Sequence, residues 1–205
     1  LSDQTIVPPD DLSQLRAARK SNKDAEVLGS LMSKYRERLR QMISLRMSRQ
    51  LQSRLDASDV VQDTLVEASR TLEKYLADPK ISVYLWLRHL ANEKLIQAHR
   101  THLGAQKRDA SRDFSINGGG LTATSEAIAI QLVSNQETPD QEAEREDQKI
   151  QLAGALEKMD TLDREILTLR HFEHLNSKEI AELMGLKYEM VKNVTSGPWI
   201  NFNES

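Results

Sequence analysis

Asp56, Asp59, Gln62 and Asp63 stand three and four residues apart in one short stretch. On a helix that spacing puts carboxylates and an amide on neighbouring turns, where they accept charge-assisted hydrogen bonds from an arginine-rich surface. A second group has the opposite character: Arg88, Asn92, Lys94, Gln97, His99 and Arg100. Lysine and arginine neutralise phosphates, and asparagine and glutamine hydrogen-bond base edges. A third group, Lys187, Tyr188, Glu189, Lys192 and Asn193, follows Gly185 at the start of a further segment. Tyr84 and Trp86 are candidates to stack on bases. Trp86 also reads as core, because it shares an apolar face with Leu85 and Leu90, and that reading is preferred. Which aromatic would reach a nucleic acid is left open by the sequence.

The histidines form two pairs, His99 with His102 and His171 with His174, each at i and i+3. Neither pair has a third ligand nearby, so solvated or capping roles are expected and no metal. There are no cysteines, which excludes disulfides, thiolate metal sites and a cysteine nucleophile. No Ser-His-Asp arrangement, phosphate loop or pair of catalytic carboxylates stands in a convincing context. The expectation is a protein that binds, with no cofactor and no catalytic residues.

These groups need helices to carry them. Leu, Ala, Glu, Gln, Arg and Lys dominate, and aromatics make up only 4% of the 205 residues, which disfavours an all-β fold. Net charge is −3, yet the charge is segregated. Residues 34–54 hold Lys34, Arg36, Arg38, Arg40, Arg46, Arg49 and Arg54 against Glu37 alone, residues 88–112 are basic, and Glu137–Asp147 is acidic. Segregated charge suggests separate surfaces for separate partners; its bland alternative is solvated helix faces. No apolar run approaches the roughly 20 residues of a membrane span, and the first residues lack the features of a signal peptide. Membrane insertion is not expected, and a cytoplasmic location is.

Residues 1–22 read as a loose leader, with at most a short helix from Pro8-Pro9-Asp10-Asp11. From Asp24 a helical period runs through Val27, Leu28, Leu31, Met32, Tyr35, Leu39, Met42, Ile43 and Met47. A second helix is predicted to start at Asp56-Ala57-Ser58-Asp59, capped by Ser58 or Asp56. Its apolar positions are Val60, Val61, Leu65, Val66, Ala68 and Leu72, and Asp78-Pro79 breaks it. A third is predicted over 82–102, with Gly104 as its stop. Residues 23–104 are thus expected to form a three-helix bundle. Residues 105–148, with Gly118-Gly119-Gly120, read as a flexible linker holding a short helix over 125–133. Residues 149–196 read as a second helical unit. There Asp160 caps one helix, Asn176 and Glu179 have the capping-box spacing, and Gly185 turns the chain into a helix-turn-helix. The expected fold is all-α: two small helical domains joined by a flexible linker.

Three blocks resemble the sigma factors of bacterial RNA polymerase, in the extracytoplasmic-function subfamily of the sigma-70 family. They are Asp56-Ala57-Ser58-Asp59-Val60-Val61-Gln62-Asp63-Thr64-Leu65, then Tyr84-Leu85-Trp86-Leu87-Arg88-His89-Leu90-Ala91-Asn92, then Asp163 to Phe172 followed by Ser177 to Leu186. The resemblance covers roughly 25–192, in the family's order, with the linker unmatched. It implies that the first block grips a coiled coil of the polymerase core, with Asp56, Asp59, Gln62 and Asp63 at the contact. It implies that the helix carrying Arg88, Asn92, Lys94, Gln97 and Arg100 meets the single-stranded non-template strand of the promoter. The loop 78–82 would cradle an unstacked base. The last unit would read duplex DNA through Lys187, Tyr188 and Lys192. An anti-sigma protein is a typical partner of the subfamily.

The chain departs from the family after Lys192. The family continues with a long basic helix, whereas here Gly197-Pro198 stops it and residues 197–205 carry no basic residue. That tail reads as truncated, frame-shifted or diverged, and it puts duplex reading in doubt. Two other readings stay beside the first: a sigma-like protein that binds polymerase without selecting promoters, and a plain helix-turn-helix regulator.

Overall fold

Apolar residues at three- and four-residue spacing, with carboxylate or hydroxyl caps ahead of them, give ten helices among the described residues. The computed structural model describes residues 10–103, 121–134 and 142–196. Gly104, the glycine run 118–120, most of the Pro139 region and the Gly197-Pro198 stop lie outside the described residues. The helices are α1 (Asp11–Lys20), α2 (Asp24–Arg46), α3 (Arg49–Gln52), α4 (Ala57–Ala77) and α5 (Val83–Leu103). They continue as α6 (Ser125–Ser134), α7 (Glu142–Glu157), α8 (Thr161–His171), α9 (Ser177–Met184) and α10 (Tyr188–Thr195).

Helices α2, α4 and α5 pack on one another around Leu39, Met42, Ile43, Val61, Ala68, Leu87 and Leu95, all buried. The cap of α4 is the one the sequence offers. Asp56 accepts from the Ser58 amide at 2.7 Å, and Asp59 accepts from the Asp56 amide at 3.1 Å. This satisfies donors that a helix start otherwise leaves unpaired, and it places negative charge at the positive end of the dipole. The break at Asp78-Pro79 is closed by the Tyr75 hydroxyl, which donates to the Ile81 carbonyl at 2.8 Å. Tyr75 stacks on Trp86 with ring centroids 4.2 Å apart and planes 6° from parallel. Trp86 is therefore core, as its apolar neighbours suggest.

Part of the leader is built into this unit. Asp10 caps α1, Leu15 is fully buried, and α1 packs on α2 and α4. Asp11 takes the Lys34 ammonium at 2.8 Å and the Tyr35 hydroxyl. One apolar position of α4 does not join the core: Val66 is 49% exposed. It falls outside the stripe of Val61, Thr64, Ala68 and Leu72 that faces α2 and α5.

In the second unit, Asp160 caps α8 by accepting from the Leu162 amide at 2.8 Å. Asn176 and Glu179 form the anticipated capping box on α9, with Asn176 accepting from Glu179 N at 3.0 Å and Glu179 from Asn176 N at 2.9 Å. Gly185 ends α9 with φ 64°, a left-handed conformation that costs a residue with a Cβ but not glycine. The chain then enters α10, whose Val191 is buried among Ile166, Leu169, Leu175, Ile180 and Met184.

The two units do not stand apart. One cluster of buried apolar side chains runs from Leu15 through the α2, α4 and α5 core to Val191. A smaller cluster joins Leu45 of α2 to Ala123, Ile128 and Phe172. Residues 121–134, within the stretch read as linker, lie between the units, and α6 packs on both α2 and α7.

Candidate nucleic-acid interface

On α4 the side chains of Asp56, Asp59, Gln62 and Asp63 are all exposed. Asp56 and Asp59 also serve the cap. Hydrogen bonds from the backbone and side chain of Ser58 hold the Asp56 carboxyl below the usual carboxylate range. Capping and display thus coexist, because a carboxylate has lone pairs for several donors. Val66 extends the same face by one turn and adds an apolar centre to it. Its place in the sequence gave the signal, since a valine one step off the inward stripe must face out.

The basic set of α5 is divided. Gln97 and Arg100 are exposed. Lys94 is half-buried and bridges to α4, its ammonium 2.7 Å from the Glu67 carboxylate. Arg88 and Asn92 are buried. Asn92 accepts from the Leu121 amide at 3.2 Å. Arg88 donates through Nε to Glu173 Oε2 at 2.6 Å and through Nη2 to Oε1 at 3.2 Å. His99 is half-buried, and burial pushes its pKa below the ordinary histidine value. On α10, Lys187, Tyr188, Lys192 and Asn193 are exposed together with Met190, which belongs to the same surface and was not anticipated.

A cluster of opposite charges at the meeting of the two units was not legible in the sequence. Glu173, fully buried in the turn after α8, receives both Arg88 and Arg46, the latter at 2.6 Å through Nη1. The Arg46 side chain is 1% exposed. Its Nη2 pairs with Glu165 and its Nε donates to the Leu121 carbonyl at 2.8 Å. Glu165 also accepts from the Ala123 amide at 3.3 Å. Arg38 completes the cradle: its guanidinium donates to the Glu173 and His174 carbonyls and lies 3.6 Å from the centre of the Tyr84 ring. His174 takes φ 51°, which turns the backbone so that both carbonyls face Arg38.

Burial alone would raise the pKa of Glu173, but Arg46 and Arg88 outweigh it and hold the carboxyl below its ordinary value. Burial disfavours the charged form of Arg46, and Glu165 and Glu173 reverse this, so it stays charged. The Tyr84 phenol is pushed up, chiefly by burial. The cradle is therefore ionic on both sides. The two guanidinium groups that hold the Glu173 carboxylate, Arg46 and Arg88, are also suited to a phosphate, since both anions present paired oxygens to the planar fork.

Two stretches of the chain match known families. Residues 32–103 match sigma-70 region 2, and residues 149–193 match sigma-70, region 4. No curated protein matches the chain. Among the described residues no helix is long and apolar enough to cross a membrane. The region 2 match spans α3, α4 and α5 with most of α2, and the region 4 match spans α8, α9 and the helix-turn-helix turn at Gly185. With both regions present in order over more than half of its length, the chain belongs to the sigma-70 family.

Proposed function

We propose that this chain is a sigma factor of the extracytoplasmic-function type, which directs RNA polymerase core to specific promoters in the cytoplasm. The subtype reading rests on region 2 and region 4 being the matched regions. In this reading residues 23–104 bind polymerase and open the promoter, and residues 149–196 read upstream duplex DNA. The protein turns over no substrate and needs no cofactor.

One observation carries the reading: region 2 presents Asp59, Gln62 and Asp63 together on the open face of α4. Carboxylates with an amide between them suit an arginine-rich coiled coil, and Val66 supplies an apolar contact beside them. On α5, Arg100 and Gln97 would meet the displaced single strand first, one through phosphate and one through a base edge. On α10, Lys187, Tyr188 and Lys192 would face the duplex. An anti-sigma protein that covers α4 or α5 would silence the factor.

The test is transcription reconstituted from core polymerase, this chain and a library of promoter fragments, with start sites sequenced. Initiation at a shared motif is the expected result. Stable polymerase binding without initiation would instead favour a sigma-like protein that does not select promoters. That second reading is favoured by the burial of Arg88 and Asn92, which takes two residues of α5 out of reach of DNA.

A further inference from the structure

We propose that Glu173 is an internal latch: it holds the second unit against the first and occupies arginines that single-stranded DNA would otherwise engage, so the free protein is self-inhibited. The inference rests on reading α5 as the strand-binding helix. The latch is built from both sides. Glu173 belongs to the turn between α8 and α9, yet its carboxylate is held by Arg46 of α2 and Arg88 of α5. Arg38 holds the backbone of the same turn through the Glu173 and His174 carbonyls. Phe172, the residue before it, packs with Leu45, Ala123 and Ile128. Leu121 seals the edge by donating to Asn92 and accepting from Arg46.

Closure has a direct consequence for binding. A phosphate reaching Arg88 must displace a buried carboxylate that already satisfies two of its donors. Apparent affinity falls by the fraction of molecules that are open. If about 1–10% are open, a range typical of minor states, strand binding is roughly 10- to 100-fold weaker than in the open form. Engagement of α4 or α10 by polymerase would favour the open form only to the extent that it binds that form more tightly.

The test uses the full chain with no native cysteine to interfere. Ser69→Cys and Glu182→Cys place dyes on exposed positions of α4 and α9, and energy transfer reports closure. A labelled 12-nucleotide thymidine strand serves as the binding probe. Glu173→Gln removes the latch charge, and Phe172→Ala loosens the same junction with every charge left in place. Glu157→Gln, an exposed position, controls for net charge. The expected result is lower energy transfer and about tenfold or greater gain in strand affinity for Glu173→Gln and Phe172→Ala, and neither for Glu157→Gln. Circular dichroism verifies helix content, and Phe172→Ala carries the test if Glu173→Gln does not fold. Opening without a gain in strand affinity would overturn self-inhibition, and unchanged energy transfer in both variants would overturn the latch. A core-polymerase pull-down separates the two levels: opened variants that bind core without gaining strand affinity refute self-inhibition and spare the sigma reading. Failure of every form to bind core would refute the sigma reading itself.

Discussion

Replacing Arg46 by methionine should strongly destabilise this protein. The side chain is 1% exposed and makes four interactions: Glu165 and Glu173, the Leu121 carbonyl at 2.8 Å and the Met42 carbonyl at 3.2 Å. Methionine fills much of the volume, so the loss is electrostatic rather than a cavity. After the change Glu173 keeps both bonds from Arg88, whereas Glu165 keeps the Ala123 amide. Leaving a buried carboxylate without its cation costs about 3–5 kcal/mol. The loss is bounded by the free energy that docks the two units, because beyond that bound the junction opens and both carboxylates regain water. For a chain of this length 1 kcal/mol moves the thermal midpoint by roughly 2–4 °C, so a fall of about 6–20 °C is expected. The assay is urea and thermal unfolding followed by circular dichroism, with dye pairs reporting whether docking is lost before the helices melt. Adding Glu165→Leu to Arg46→Met should recover at least about 1 kcal/mol, since a pair replaced by apolar groups is far less costly than half a pair. A single variant within about 0.5 kcal/mol of the parent, or a double variant no better than the single, would refute the reasoning.

Asp63→Arg should abolish binding to polymerase core and leave helix content unchanged, because Asp63 is exposed and takes no part in the α4 cap; retained binding in a pull-down would reassign that face. Asn176→Ala should destabilise the second unit by about 1 kcal/mol in a thermal melt, the usual cost of losing such a cap, because the Asn176 side chain accepts from two amides of α9. Gly185→Ala should cost a similar amount, about 1 kcal/mol, because φ 64° is a left-handed conformation. The Glu173 pKa is depressed in the folded protein. Its stabilising contribution is therefore complete above the ordinary glutamate value of about 4.3 and is lost as pH falls below it. The difference in energy transfer between the parent and Glu173→Gln should thus stay constant from about pH 8 to pH 5 and vanish only in stronger acid; a difference that fades between pH 7 and pH 5 would contradict the assignment.

Much of the local structure was legible because it depends on residues close in sequence. The caps of α4 and α9 are set within four residues of one another, at Asp56 and Asp59 and at Asn176 and Glu179. The all-α fold and the core face of α5 follow from apolar spacing, and Trp86 was read as core for that reason. The exposure of Asp56, Asp59, Gln62 and Asp63 matches the reading of an outward face on α4.

What the sequence left undecided lies in contacts between distant positions. Arg88 and Asn92 read as basic and polar residues of an open helix, and only docking buries them against Glu173 and Leu121. Arg46 lies in the basic run of α2, and nothing around it says that it meets Glu165 and Glu173, which are more than a hundred residues away. The leader likewise reads as loose until Leu15 is seen buried against α2 and α4. The physical reason is the range of the forces involved. Helix periodicity and caps act within a turn or two of chain and leave a pattern in the letters. A buried ion pair needs desolvation and close approach, and both arise only once packing has brought the two helical units together.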